Sequence, residues 1–278
     1  MTKIRNKRKL RIFDVINACI MILLGFSFVM PFWIIACSSL SDNGQLMSKG
    51  ISLWFRGFSF EGYAFLFQMS DVFFKSIISS LIVSFSNAAL SVALCTGAAY
   101  VLAKKDLAGR KALNIFFMIP MFFGGGMIPL YLVIRGIKIY DTVWALIFPC
   151  AVRISNVLLL RNYFYGIPTS LNEAGELDGA NQFQILIKII IPLAVPMMLT
   201  IGMIMFVDRW NNWLDTLLYF GSSNTKWWTI QYVLRQILTD MQSLYGSLGG
   251  GSIVDAPLIS ARNAAVVIAV LPLVCLSP

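Results

Sequence analysis

The sequence contains no histidine among its 278 residues. That excludes His-ligated metal sites and His-dependent catalytic triads. Charge is scarce too: only 13% of residues are Asp, Glu, Lys or Arg, against about a quarter in a soluble domain. Cys19, Cys37, Cys95, Cys150 and Cys275 show no C-x-x-C spacing and lie in or beside apolar runs. Single cysteines in such surroundings act as small hydrophobes, so neither a disulfide framework nor a metal site is expected. No G-x-x-x-x-G-K-[ST] occurs, so this chain carries no ATP site of the P-loop kind.

What is present is apolar: 58% of the residues are hydrophobic, and the mean hydropathy is +0.76. The hydrocarbon core of a bilayer is ~30 Å thick, so a spanning helix needs about 20 apolar residues. Segments 15–40, 76–103, 112–134 and 189–207 carry no charge, and 142–160 carries only Arg153. Segment 263–278 is also uncharged. At 1.5 Å per residue it reaches about 24 Å and reads as short or truncated. Backbone polar groups in lipid must be satisfied within the protein, which leaves helices or a closed barrel. Barrel strands alternate apolar and polar residues, and these runs do not. The expected fold is all-α: one transmembrane domain over 1–278, a polytopic helix bundle with six spans.

Lys and Arg set the expected orientation. Six cations fall in the first eleven residues and four in residues 104–111, whereas 41–71 has only Lys49 and Arg56. The N-terminus, 104–111 and 161–188 are therefore placed in the cytoplasm, and 41–71, 135–141 and 208–262 outside. This asymmetry accounts for the net charge of +9, with no nucleic-acid partner implied. The first apolar run is too long for a cleaved secretory signal.

Several segments carry candidate sites. Trp54, Phe55, Phe58, Phe60, Tyr63, Phe65 and Phe67 crowd the first outer segment. They read as an interfacial aromatic belt or a packed cap, with ligand contact as the alternative. Phe123-Gly124-Gly125-Gly126-Met127-Ile128-Pro129 interrupts the third span, as in a pathway-lining broken helix or a tight small-residue contact. Arg153, with Asn156 nearby, faces a bundle interior or cavity, or else pairs with a carboxylate on a partner chain or snorkels. Asn87 and Ser84 on the second span are placed toward the same cavity. Trp210, Asn211 and Trp213 suit contact with a ligand or the membrane interface. Residues 227–238 read as a surface helix and 247–252 as a flexible stretch.

The most informative segment is EAGELDGANQFQILIKIIIPLAVP, residues 173–196. Ser170-Leu171-Asn172-Glu173 matches a capping box. A short helix is expected to run to about Asp178, with Gly179 as a break and a second helix from about Asn181 into the span. Leu171, Ala174, Leu177, Ala180 and Phe183 provide apolar knobs.

This spacing resembles the EAA signature of ABC importer permeases: EAA, three residues, G, nine residues, I, one residue, LP. Glu173, Ala174, Gly179, Ile189 and Pro192 match, while Gly175 and Ile191 replace the usual Ala and Leu. Leu177-Asp178-Gly179-Ala180, Gly125 to Tyr131, Trp210 to Asp215 and Ala261 to Ala265 are similar to segments of its carbohydrate-uptake subfamily, lipoprotein and oligosaccharide type. The chain is similar to the second of two unequal maltose permease subunits. The resemblance implies a bacterial cell-membrane permease that moves a carbohydrate, of the oligosaccharide class, inward by alternating access. It implies a second permease subunit, two cytoplasmic ATPases that hold ATP and Mg, and an extracellular solute-binding protein. This chain itself is expected to bind no cofactor. Residues Ser170, Glu173, Ala174, Leu177, Asp178, Gly179, Ala180 and Phe183 become an ATPase-coupling element, and Asn87, Arg153, Asn156, Trp210, Asn211 and Trp213 pathway residues. The family usually continues past the sixth span into a basic tail, which reinforces the expectation of a shortened sixth span.

An ion-gradient-driven secondary transporter is the alternative, and it calls for acidic residues within the spans. The five long runs have none. A polytopic enzyme calls for clustered acids or histidine at one depth. In a cysteine-free background, Ser52→Cys is expected to react with a membrane-impermeant maleimide on intact cells. Ala108→Cys is expected to react only after permeabilisation, and the reverse pattern would invert the topology.

Overall fold

The computed structural model describes residues 12–68, 70–104, 106–220, 225–247 and 258–276. The basic N-terminal residues and most of the glycine run at 247–252 lie outside them. The described chain is helical, with one isolated bridge between Ser41 and Phe58. Three helices are long and apolar enough to cross a membrane: Phe13–Ser39, Val72–Ala103 and Gln182–Trp210. A bent pair, Arg110–Phe122 with Met127–Gly136, counts as a fourth if taken as one span. The chain divides into two compact units, one formed by 1–69 and 238–271 and the other by 70–237 and 272–278.

The first unit begins with α1 (Ile12–Ser39), whose residues 13–29 are exposed throughout. Helix α2 (Asn43–Lys49) is capped by Asp42, whose carboxylate accepts from the Gln45 amide at 2.9 Å. Trp33 at the end of α1 donates its indole N–H to the Leu53 carbonyl at 3.0 Å. The aromatic segment forms a run of ring contacts from Trp33 through Trp54, Phe55, Phe58 and Phe60 to Tyr63. Helix α3 (Glu61–Gln68) follows, and Gly62 lies against the backbone of Ser260.

The second unit is organised on α4 (Ser70–Ala103). Ser76, Ser80, Ser84, Asn87, Ser91 and Cys95 are all buried, at the three- and four-residue spacing of one helix face. Helix α5 (Arg110–Phe122) and α6 (Met127–Gly136) meet at 112°. The turn between them needs Gly126, which has φ +80, a conformation open to glycine at little cost. The third segment is therefore an elbow and not one straight helix.

Residues 142–160 depart further from a single helix. Helix α7 (Trp144–Ile147) ends early, and α8 (Ile154–Tyr165) starts only after an irregular stretch. Cys150 takes φ +63, and Arg153 is extended. Pro149 lacks an amide to continue the helical bonds, and the left-handed Cys150 cannot propagate a right-handed helix. The Ile147 carbonyl left open is met by the Asn87 side-chain amide at 2.6 Å.

Helix α9 (Thr169–Leu177) precedes α10 (Gln182–Ile185), which runs through a π-turn, Leu186–Ile190, into α11 (Ile191–Trp210). The expected Ser170–Glu173 capping box does not form. The N-cap is Pro168, without a side-chain cap, so Ser170 lies inside the first turn and Glu173 in the second. The capping box lies at the next helix, where Asn181 and Gln184 exchange side-chain and backbone bonds. Helix α12 (Leu214–Tyr219) precedes α13 (Ile230–Ser247). Ile230, Tyr232, Val233 and Leu234 are buried, so the start of α13 is not the surface helix expected of 227–238.

Helix α14 (Leu258–Leu276) begins five residues before the expected start of the sixth span. The Asn43 side chain accepts from the Ile259 amide at 3.0 Å, a cap supplied from far away in sequence. Its apolar part, Ile259–Pro272, is shorter than the three long helices.

A Cβ at position 62 would lie 2.6 Å from the Ser260 carbonyl carbon and 2.8 Å from the Ala261 nitrogen. Gly62→Ala should therefore cost about 1–3 kcal/mol by overpacking. Gly25, inside α1 with open space around it, should tolerate alanine or gain slightly. Thermal unfolding in detergent measures both.

Candidate functional site

The C-terminal end of α11 borders a cavity of about 690 Å³, within the range of ligand pockets. Arg153, Met203, Ile204, Val207, Asp208, Asn211, Asn212, Trp213 and Leu214 line it. The helix breaks build this site. The extended residue before α8 places Arg153 at the cavity, and the end of α11 at Trp210 lets residues 211–214 turn around its mouth. Asn212 then accepts from the Asp215 amide at 2.9 Å, which starts α12.

Four charges form a chain at its edge. Arg153 pairs with Asp208 at 2.8 Å, Asp208 lies 3.6 Å from Arg209, and Arg209 pairs with Asp215 at 2.7 Å. Arg209 is 4% exposed, and its guanidinium also donates to the Leu146 carbonyl at 3.4 Å. Burying a lone guanidinium is costly, so these carboxylates are what allow it there. Arg153 and Asp208 remain 39% and 31% exposed at the side chain, leaving donors and acceptors for a ligand. Trp213 adds an apolar ring, with the Arg235 guanidinium 3.7 Å from its centroid. At the end of α12, burial and then the Asp215 carboxylate push the Tyr219 phenol up to about 12. The combination of charged hydrogen-bonding groups and an aromatic face can hold a polar, hydroxyl-rich molecule.

The structure brings Arg153, Asn211 and Trp213 together in this cavity. Asn87 is buried and occupied with the Ile147 carbonyl, Asn156 is buried, and Trp210 is buried and stacked on Phe206. None of these three lines the cavity. Asp208, Arg209 and Asp215 were not singled out as site residues from the sequence. Their signal was there: two acids and an arginine within eight residues of the end of a long apolar run. A second cavity of about 540 Å³ is apolar, lies between α4 and α11, and shares Met203 and Val207 with the first.

At the opposite end of α11, Gly179 (φ +78) closes α9. The Gly179 amide donates to the Glu176 carbonyl at 3.0 Å, and the Ala180 amide donates to that of Gly175 at 2.9 Å. This double bond is the Schellman arrangement. Gly175 is buried, and a Cβ there would meet Ile189 at 3.0 Å and Ile185 at 3.2 Å. The glycine that replaces the usual alanine thus makes room for two β-branched side chains. Leu177 and Phe183 point outward, 88% and 69% exposed, while Ser170, Glu173, Ala174 and Asp178 are also exposed and Ala180 is half-buried.

Long apolar helices, with a cavity edged by charged groups at one end of α11 and a short helix closed by Gly179 at the other, are features that suit a membrane transport protein. Residues 89–277 match the family described as "Binding-protein-dependent transport system inner membrane component". The chain belongs to this family, the permease subunits of ABC importers. It is 33% identical to the polygalacturonan/rhamnogalacturonan transport system permease protein YtcP of Bacillus subtilis (strain 168), over 97% of this chain and 94% of that protein. It is 30% identical to protein LplC of the same organism, over 98% and 92%. A chain in the crystal structure of a bacterial ABC transporter involved in the import of the acidic polysaccharide alginate superposes with a TM-score of 0.84. It is 26% identical, with 100% of this chain and 97% of that one covered.

Removing Asp215 would leave the buried Arg209 with only the more distant Asp208. Asp215→Ala should therefore cost about 3 kcal/mol, whereas Arg153→Gln, at a half-exposed pair, should cost about 1 kcal/mol or less. Thermal unfolding of the purified subunit ranks the two, and equal costs would contradict this account.

Proposed function

We propose that this chain is the transmembrane permease subunit of an ATP-driven importer that carries an oligosaccharide into the cytoplasm by alternating access. One observation carries the reading: a rigidly terminated short helix, α9, with its Leu177 and the Phe183 of the following α10 unburied, set at the foot of the long helix that ends at the cavity with charged groups at its edge. In this reading Leu177 and Phe183 seat in a cleft of a cytoplasmic ATPase, and Glu173 and Asp178 flank them. Ser170, Ala174, Gly179 and Ala180 keep the element compact. ATP and Mg act on the partner ATPases. Closure of the ATPases moves the short helix and switches the cavity between the two sides.

The same reading assigns six crossings: α1, α4, the α5–α6 elbow, α7 with α8, the α10–α11 helix, and α14, with the N-terminus inside. A second permease subunit completes the pathway, and an extracellular binding protein delivers the sugar. Arg153, Asp208, Asn211 and Trp213 then contact it: the charges and amide through hydroxyls, the indole through an apolar sugar face. Asn87, Asn156 and Trp210 support the cavity from within the packed unit. The names of YtcP and of the alginate transporter concern acidic polysaccharides. Uronate oligomers are accordingly the first sugars to test.

The subunit is co-expressed with a second permease, the ATPase and the binding protein, and is reconstituted in liposomes. Binding protein with oligosaccharide should stimulate ATP turnover. A charge in an apolar seat costs a hot spot, so Leu177→Asp should lower ATPase retention about tenfold or more. Glu173→Ala should weaken it less. A wild-type complex that retains no ATPase, and whose uptake follows an ion gradient, would overturn the proposal.

A further inference from the structure

The Gln182 side chain links the α9–α10 segment to α4. Gln182 opens α10, and its amide oxygen accepts from the Tyr100 hydroxyl at 2.9 Å and from the Lys104 ammonium. Tyr100 lies in the last turn of α4, and Lys104 directly follows that helix. The Gln182 amide nitrogen donates to the Glu176 carboxylate at 2.6 Å, on α9. A glutamine has one acceptor oxygen with two lone pairs and one NH2 group. Both lone pairs are used toward α4 and a donor toward α9. The amide cannot be turned over without setting its NH2 against an ammonium and its oxygen against a carboxylate.

The route straight up the fifth-span helix is softer. Immediately beyond α10 the chain passes through the π-turn Leu186–Ile190, and Pro192 and Pro196 follow. Each feature removes or lengthens i→i−4 hydrogen bonds where the helix would otherwise be stiff. Helix α4 is 34 residues long, has no proline and is continuous. A displacement of α9 therefore meets a compliant joint along α11 and a direct polar tie to an unbroken rod at α4.

We infer that Gln182 is a positioning residue that couples the short helix α9 to α4, so that ATPase-driven movement is delivered first to the second span. This rests on the proposed role of α9. The side chain touches no cavity residue, and it acts through Glu176, Tyr100 and Lys104.

The test is the number of sugars taken up per ATP hydrolysed by the reconstituted full complex, with ATPase retention and unfolding temperature measured alongside. Gln182→Ala loses all three bonds and should lower the ratio about fivefold or more, fivefold being the worth of a single hydrogen bond, while ATPase retention stays at the wild-type level. Tyr100→Phe with Lys104→Met should produce a similar fall, and adding Gln182→Ala to that pair should add little. Gln182→Glu should uncouple because it sets two carboxylates together. Gln182→Glu combined with Glu176→Gln exchanges donor and acceptor and should restore the ratio, which a merely structural role does not predict. An unchanged ratio in Gln182→Ala, or a fall in uptake and turnover together with a lowered unfolding temperature and no rescue by the exchange, would overturn the inference. Leu177→Asp separates the two levels. If it uncouples while the Gln182 variants do not, only this inference fails. If it leaves ATPase retention and coupling intact, the role of α9 itself fails.

Discussion

A helix that stops among apolar neighbours exposes amides or carbonyls that no water can meet, and each costs several kcal/mol in a hydrocarbon surround. In the larger unit α4 meets this constraint. Its buried polar face donates from Asn87 to the last carbonyl of α7 and accepts at Ser80 from the first amide of α13, at 2.7 Å. The Cys95 thiol approaches the Arg153 carbonyl at 4.0 Å, at the start of α8. Three irregular joints are thus anchored to one continuous rod. Without that face, the Ile147 carbonyl freed by the break at Pro149 and Cys150 would lack its partner.

The charged chain at the end of α11 follows the same logic at higher stakes. An unpaired buried guanidinium is among the most costly groups a protein can hold. Arg209 is kept by Asp215 and the Leu146 carbonyl, which ties α11 to both α12 and α7. The half-exposed Arg153–Asp208 pair is cheaper to hold and easier to open to a ligand. One set of residues therefore divides into a buried part that fixes the cavity wall and an exposed part that offers hydrogen bonds inside it.

At the other end of α11, stiffness and compliance are arranged in sequence. Gly179 closes α9 with two backbone bonds, Gly175 lets Ile185 and Ile189 pack against it, and the π-turn then softens the run toward Pro192. A compact element joined to a bending one suits a part that is pushed as a body. Leu177 at the end of α9 and Phe183 just beyond it stay exposed.

Sequence alone determined the class of this protein, its long apolar helices, and the pattern of short helix, glycine and second helix at 169–185. These depend on local chemistry: the length of an uncharged run, the one residue that accepts positive φ cheaply, and the spacing of the motif. The tertiary structure decided what depends on partners far away in the chain. It gave the carbonyl freed by the break at Pro149 and Cys150 a partner in Asn87, and it started α14 early because Asn43 could cap it. The capping box at Asn181 in place of Ser170 is instead a local matter, since Pro168 sets where α9 begins. The tertiary structure also sorted the polar candidates, leaving Arg153, Asn211 and Trp213 at the cavity and burying Asn87, Asn156 and Trp210. A polar residue in an apolar run can serve a ligand or a neighbour's backbone, and only the folded chain brings the neighbour within reach.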